Sequence, residues 1–156
     1  MSATQERAGE EMIARAAIEH LLSRYPFLVD RQRFEELSTL FAPDGIMEGP
    51  VGEPGVGRQG IEEFFRHSAT KPIVGRIPKL MRHNVTSQCV EIVDAANAVA
   101  NSYFIAMTDV GPDHWGRYRD AIVNIDGTWL IGRRSLTVDG CTPGSWWEQN
   151  VSGGSS

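Results

Sequence analysis

Residues 115–138 read WGRYRDAIVNI, DG, TWLIGRRSLTV. Two stretches rich in β-branched and aromatic residues flank Asp126-Gly127, and such a dipeptide marks a tight hairpin because its turn needs positive φ at both central positions. Trp115 to Ile125 and Thr128 to Val138 are therefore expected to be paired antiparallel strands. Toward the N-terminus, Met81 to Val93 and Ala98 to Asp109 share this composition, punctuated by Asp94-Ala95-Ala96-Asn97 and Gly111-Pro112-Asp113. Four strands in succession predict an antiparallel meander.

The first half has a different period. Met12, Ile13, Ala16, Ala17 and Leu21 recur at spacings of three and four, which predicts a helix from about Glu10 to Arg24 with that stripe buried. Tyr25-Pro26 is expected to kink or break it, since proline lacks the N–H and disfavours helix in the residue before it. A second helix is expected over roughly 31–41, with Asp30 near its N-cap and Pro43-Asp44-Gly45 as its stop. Residues 49–60 read as a loop, Ile61 to His67 as a short helix and Thr70 to Pro78 as an irregular connection. Helices followed by a meander give an α+β fold, not α/β. The expected organisation is a flexible N-terminus over 1–9, a single domain over 10–150 and a disordered tail over 151–156. A long sheet wrapping around the helices would enclose a pocket open at one end, the natural place for a ligand.

Composition limits the function classes. The 156 residues are 41% hydrophobic and 22% charged, which suits one globular domain with its own core. Fifteen basic against twenty acidic side chains leave a net charge of −5, which argues against nucleic acid as partner. No apolar run reaches membrane-spanning length, and the polar start does not read as a targeting signal. Cys89 and Cys141 are too few for a disulfide framework or a zinc site, so a cytoplasmic, reduced, metal-free protein is expected.

His83 is the leading candidate for chemistry. Alternation along its strand puts His83, Val85, Ser87 and Cys89 on one face, and an imidazole facing inward can act as a general base near neutral pH. Its bland alternative is a histidine satisfied within the sheet. Asp30 has a bland alternative too, as an N-cap. Its functional reading needs His83 nearby, because a carboxylate on one imidazole nitrogen fixes the tautomer and strengthens the other as a base. Tyr25 lies five residues before Asp30 and can donate to a carbonyl, or else simply pack between helix and sheet. Arg133 and Arg134 alternate, so one must point inward, to pair with an acid or to bind an anionic oxygen. Tyr118 and Asp120 are polar candidates on the neighbouring strand. The glycine-rich run 55–60 lacks the setting of a phosphate loop. His20, His67 and His114 show no metal-ligand spacing, and Trp146-Trp147 reads as either a lid or a subunit contact.

Taken together, these residues resemble a known family. Ile18, Leu22, Tyr25, Asp30, Leu37, Phe41 and Asp44-Gly45 are similar to the opening of SnoaL-like proteins of the nuclear transport factor 2-like superfamily. Gly60-Ile61, Arg82-His83, Gly116-Arg117-Tyr118 with Asp120, and Asp126-Gly127-Thr128-Trp129 leading to Arg133-Arg134 continue the likeness. It runs from about Ala14 to Val138. The resemblance implies a cone-shaped half-barrel, a curved and mostly antiparallel sheet wrapped around the N-terminal helices. Within the superfamily the likeness is nearest the branch of scytalone dehydratase, bile-acid 7-alpha-dehydratase and lindane dehydrochlorinase. Tyr25, Asp30 and His83 match the tyrosine, aspartate and histidine of the bile-acid enzyme, and Arg134 matches an arginine of the dehydrochlorinase. The sequence departs from the branch at Ala106, where the bile-acid enzyme has an acidic residue, and near Thr108, where scytalone dehydratase has a second histidine.

The resemblance implies a cofactor-independent lyase, dehydratase or isomerase. Asp30, His83, Tyr25 and Arg134 would be its catalytic residues, and Val85, Phe104, Ala106, Tyr118 and Leu136 would line the site of a small hydrophobic substrate. A steroid, a terpenoid or a polyketide would suit that lining. Members are often homodimers or homotrimers. The alternatives are a non-catalytic ligand-binding or assembly subunit of the same fold, or a polyketide cyclase.

Overall fold

The protein is described by a computed structural model over residues 2–151. In chain order its elements are α1 (Ala3–Asp30), α2 (Phe34–Ser38), β1 (Phe41–Glu48), β2 (Gly55–Val56), α3 (Gly57–Thr70) and β3 (Met81–Ile92). They are followed by β4 (Asn97–Thr108), β5 (Gly111–Ile125), β6 (Thr128–Cys141) and α4 (Trp146–Asn150). The expected disordered tail, apart from Val151, lies outside the described residues.

The decisive hairpin forms as read. Asp126 and Gly127 take φ of 50° and 85°, and β5 pairs antiparallel with β6 from Ile125↔Thr128 outward. The sheet has six strands in the order β2-β1-β6-β5-β4-β3, curved and unclosed, and its β1–β6 pairing is parallel. The α+β cone is thus observed, with α1 lying across the concave face against β3 and β6. Its core gathers Ile18, Leu22, Tyr25 and Leu28 of α1, Leu37 of α2, Ile61 of α3, and Phe104, Tyr118, Ile122 and Ile131 of the sheet.

The structure corrects several local expectations. α1 runs unbroken through Pro26 for 28 residues and starts at Ala3, with Ser2 and Gln5 forming a capping box. Proline removes one N–H bond from the helix, and burial of Leu21, Leu22, Tyr25 and Leu28 on both sides of it holds the helix together. The buried stripe is Ile18, Leu21, Leu22, Tyr25 and Leu28, whereas Met12 and Ile13 are exposed, as are Ala16 and Ala17. Asp30 is no N-cap. It is the last residue of α1, and the shortened α2 starts from Arg33 without a side-chain cap. Pro43-Asp44-Gly45 does not stop a helix but sits inside β1, whose register against β6 shifts between Phe41 and Ile46. A bulge absorbs the irregular residues, so the proline and glycine that read as a stop are tolerated in a strand.

A second bulge changes the expected face of β3. Ser87 has φ of 52°, and the pairing with β4 shifts between Thr86 and Cys89. His83 and Val85 therefore share the inner side with Val90 and Ile92, while Ser87 and Cys89 are exposed. β5 begins at Gly111, four residues earlier than expected, so His114 belongs to the sheet.

Candidate active site

Asp30 occupies a position that a helix does not favour. A carboxylate in the last turn faces the negative end of the helix macrodipole, so it gains nothing there from α1 itself. Its partners come from β3. The His83 backbone N–H donates to both carboxylate oxygens at 3.3 and 3.2 Å, and His83 Nδ1 lies 2.7 Å from Asp30 Oδ1. The carboxylate can only accept, so it fixes the tautomer with the proton on Nδ1 and the lone pair on Nε2. The Asp30 side chain is 8% exposed and that of His83 15%, which leaves the imidazole reachable at the edge of an apolar interior. The carboxylate and imidazole expected to meet do so.

The neighbouring rows of the sheet build the wall. His83 pairs with Ala106, which pairs in turn with His114, and Val85 pairs with Phe104. Phe104, Ala106 and Tyr118 are buried, and Val85 and Leu136 are half-buried against the same core. The Phe104 ring stands 6.2 Å from His83 and stacks on Tyr118 at 4.9 Å. Tyr118 meets Tyr25 edge-on at 5.6 Å. These rings pack against one another along the inner face of the sheet, next to the imidazole.

Below the rings lies a buried ion pair. Arg134 Nε and Nη2 donate to Asp120 Oδ1 and Oδ2 at 2.7 and 2.8 Å, while Arg133 faces out toward Glu48. Burial works against the charge on Arg134, but the Asp120 carboxylate outweighs it and raises the guanidinium's pKa. The guanidinium also lies over two ring faces, 4.0 Å from the centroid of Tyr25 and 4.4 Å from that of Tyr118. Burial pushes the Tyr25 phenol up to about 12, against the pull of Arg134, and raises Tyr118 well above the ordinary tyrosine value. Both phenols are proton donors at neutral pH. The Tyr25 hydroxyl now donates to Met47 Sδ at 3.8 Å, a weak acceptor that a substrate oxygen could replace.

Sequence reasoning missed a second Asp–His pair. His114 Nδ1 lies 2.8 Å from Asp113 Oδ1, both side chains are within 5% of full burial, and the two imidazole rings stand 6.0 Å apart. Burial, with a smaller contribution from His83, holds the His114 imidazole below the ordinary histidine value against the Asp113 carboxylate. Trp147 of α4 stacks on His114 at 4.5 Å. The available signal was the adjacent Asp-His dipeptide, which the search for metal-ligand spacing passed over. Among the described residues no cluster of His, Cys, Asp and Glu suits a metal ion. No helix there is long and apolar enough to cross a membrane.

The helices and curved sheet are the architecture of a SnoaL-like domain. The SnoaL-like domain matches residues 10–135, and the chain belongs to that family. No curated protein matches it. Among solved structures, it is similar to a Novosphingobium aromaticivorans protein provisionally named a scytalone dehydratase. Identity is 22% with a TM-score of 0.72, over 86% of this chain and 90% of that one. A protein of unknown function from Mycobacterium tuberculosis is 25% identical with a TM-score of 0.71, over 87% of this chain and 78% of its own. An NTF2-like protein of cystatin-like fold, also from Novosphingobium aromaticivorans, is 21% identical with a TM-score of 0.72, over 91% and 94%.

Proposed function

We propose that the protein is a lyase of the dehydratase type, or an isomerase, acting on a hydrophobic cyclic molecule such as a steroid, terpenoid or polyketide. The observation that carries this reading is the 2.7 Å Asp30–His83 contact at the edge of an apolar wall. His83 Nε2 takes a proton from a carbon next to a carbonyl. The C–H electron pair moves into an enolate, which Tyr25 steadies by donating its phenolic hydrogen bond. Asp30 holds the imidazolium in place. In elimination the enolate expels a β-hydroxyl group, which leaves as water with the proton returned by His83. In isomerisation that proton goes back to a different carbon. Arg134 keeps N–H groups beyond those given to Asp120, and we assign it to the negative charge that develops on the leaving oxygen before His83 protonates it. These steps need neither metal nor organic cofactor. A positioned base of this kind supplies about 10²–10⁴-fold in rate, with the rest coming from electrostatics and alignment.

The second reading is a non-catalytic binding or assembly subunit, in which Asp30 only ties α1 to β3. The His83 backbone bonds to Asp30 are what favour it. Purified protein is screened against hydroxylated and halogenated alicyclic compounds, with mass loss of water or acid as readout. His83→Ala is expected to keep its melting temperature and ligand binding while turnover drops by about 10²-fold or more. Equal loss of stability and activity would favour the subunit reading. A homodimer or homotrimer is expected, which light scattering measures.

A further inference from the structure

We propose that Asp113 is a positioning residue whose one carboxylate both orients His114 and fastens α4 over it, so that the seating of α4 and the protonation of His114 form a single equilibrium. The proposal rests on the reading of His83 as the reacting base only in that α4 would then gate access to it. The coupling itself is measurable without turnover.

Local geometry explains why Asp113 can do both. In the pairing with β4, Ala106 faces His114 and Met107 faces Pro112, so Asp113 is the extra residue of a bulge. Neighbouring side chains in a regular strand point to opposite faces, yet Asp113 and His114 are 3% and 4% exposed. The bulge brings both under α4. Asp113 Oδ1 then accepts from His114 Nδ1 at 2.8 Å and from the Trp147 N–H at 3.1 Å, and Oδ2 accepts from the Trp146 N–H at 2.8 Å.

α4 is a short helix of five residues. None of its own residues is buried, and its far end is tied by Asn150, which accepts from the Val74 N–H at 2.6 Å and donates to the Val74 carbonyl at 3.2 Å. A five-residue helix with no buried residue belongs to the low-stability end of a structure. When α4 lifts, two N–H groups leave the carboxylate and the indole leaves the imidazole. The carboxylate then attracts the imidazolium more strongly, and water reaches the ring. Both changes favour protonated His114, so proton uptake opens α4 and seating expels the proton. The titratable groups that face His114 are Asp113, His83 with Asp30 behind it, and Cys141 across the strand pair, and the acidic residue that α4 itself carries is Glu148, whose carboxylate accepts from the Gly144 N–H.

The test loosens α4 from a distance. Asn150→Ala, alone and combined with Ser145→Ala at the α4 N-cap, leaves Asp113 and His114 untouched. Hydrogen exchange of the Trp146 and Trp147 amides and imidazole NMR titration of His114 are measured in the full chain. Exchange is expected to quicken by about tenfold or more, since Asn150→Ala removes three side-chain hydrogen bonds and Ser145→Ala a fourth. The His114 midpoint is expected to move upward in the same variants, and the wild-type protection of the two amides, taken relative to their intrinsic rate at each pH, to fall below that midpoint. Unchanged exchange in the double variant would overturn the clasp. Faster exchange with an unmoved His114 titration would overturn the coupling. Loss of turnover elsewhere in the site affects neither result.

Discussion

Asp30 and Asp120 are both buried carboxylates facing cations or proton donors, yet they do different work. Asp30 meets an imidazole that remains reachable, whereas Asp120 and Arg134 have side chains 0% and 2% exposed. A charge left alone at the second position has no water to turn to. Asp120→Ala is expected to destabilise the fold by about 3–5 kcal/mol, read from the urea midpoint, because it strands the Arg134 guanidinium. Replacing both partners by apolar residues of similar size is expected to cost less than Asp120→Ala. Asp30→Asn should instead act on rate. An amide cannot stabilise an imidazolium, so kcat is expected to fall by about 10²–10⁴-fold while the melting temperature changes little.

At the level of elements, strand ends and bulges decide which polar side chains face the interior. The bulge at Ser87 keeps His83 and Val85 inside together with Val90 and Ile92, and the bulge at Asp113 brings a second pair under α4. Two glycines show separate causes of constraint in the same hairpin. A Cβ at Gly127 would meet nothing within 4 Å, but φ is +85°, so Gly127→Ala is expected to cost about 1 kcal/mol for conformation alone. A Cβ at Gly116 would stand 1.9 Å from the Thr137 carbonyl oxygen, so β5 and β6 would have to separate. Gly116→Ala should therefore lower the thermal midpoint far more than Gly127→Ala in parallel melts.

For the whole molecule, the buried His114 ties stability to pH. Its folded pKa lies below the unfolded value, so the unfolded chain binds the proton more readily. Stability from this group is intact above the unfolded value of about 6.5 and is lost as pH falls below it. The melting temperature is expected to drop between about pH 7.5 and 5.5, and His114→Gln to flatten that limb. The opposite slope would show that Asp113 outweighs burial.

Local signals settled much of this protein. Asp126-Gly127 and the period-two stretches around it specify the meander, since turn conformation and alternation are properties of neighbouring residues. The pairing of Asp30 with His83 was legible only through resemblance, because 53 residues separate them. Pro26 and Pro43-Asp44-Gly45 misled for one reason: backbone preference at a single residue is weaker than burial of the residues around it. The inward face of β3, the Asp113–His114 pair and the seat of α4 depend on bulges set by strand partners. Only the folded sheet decides where an extra residue is taken up, and with it which side chains turn toward the interior.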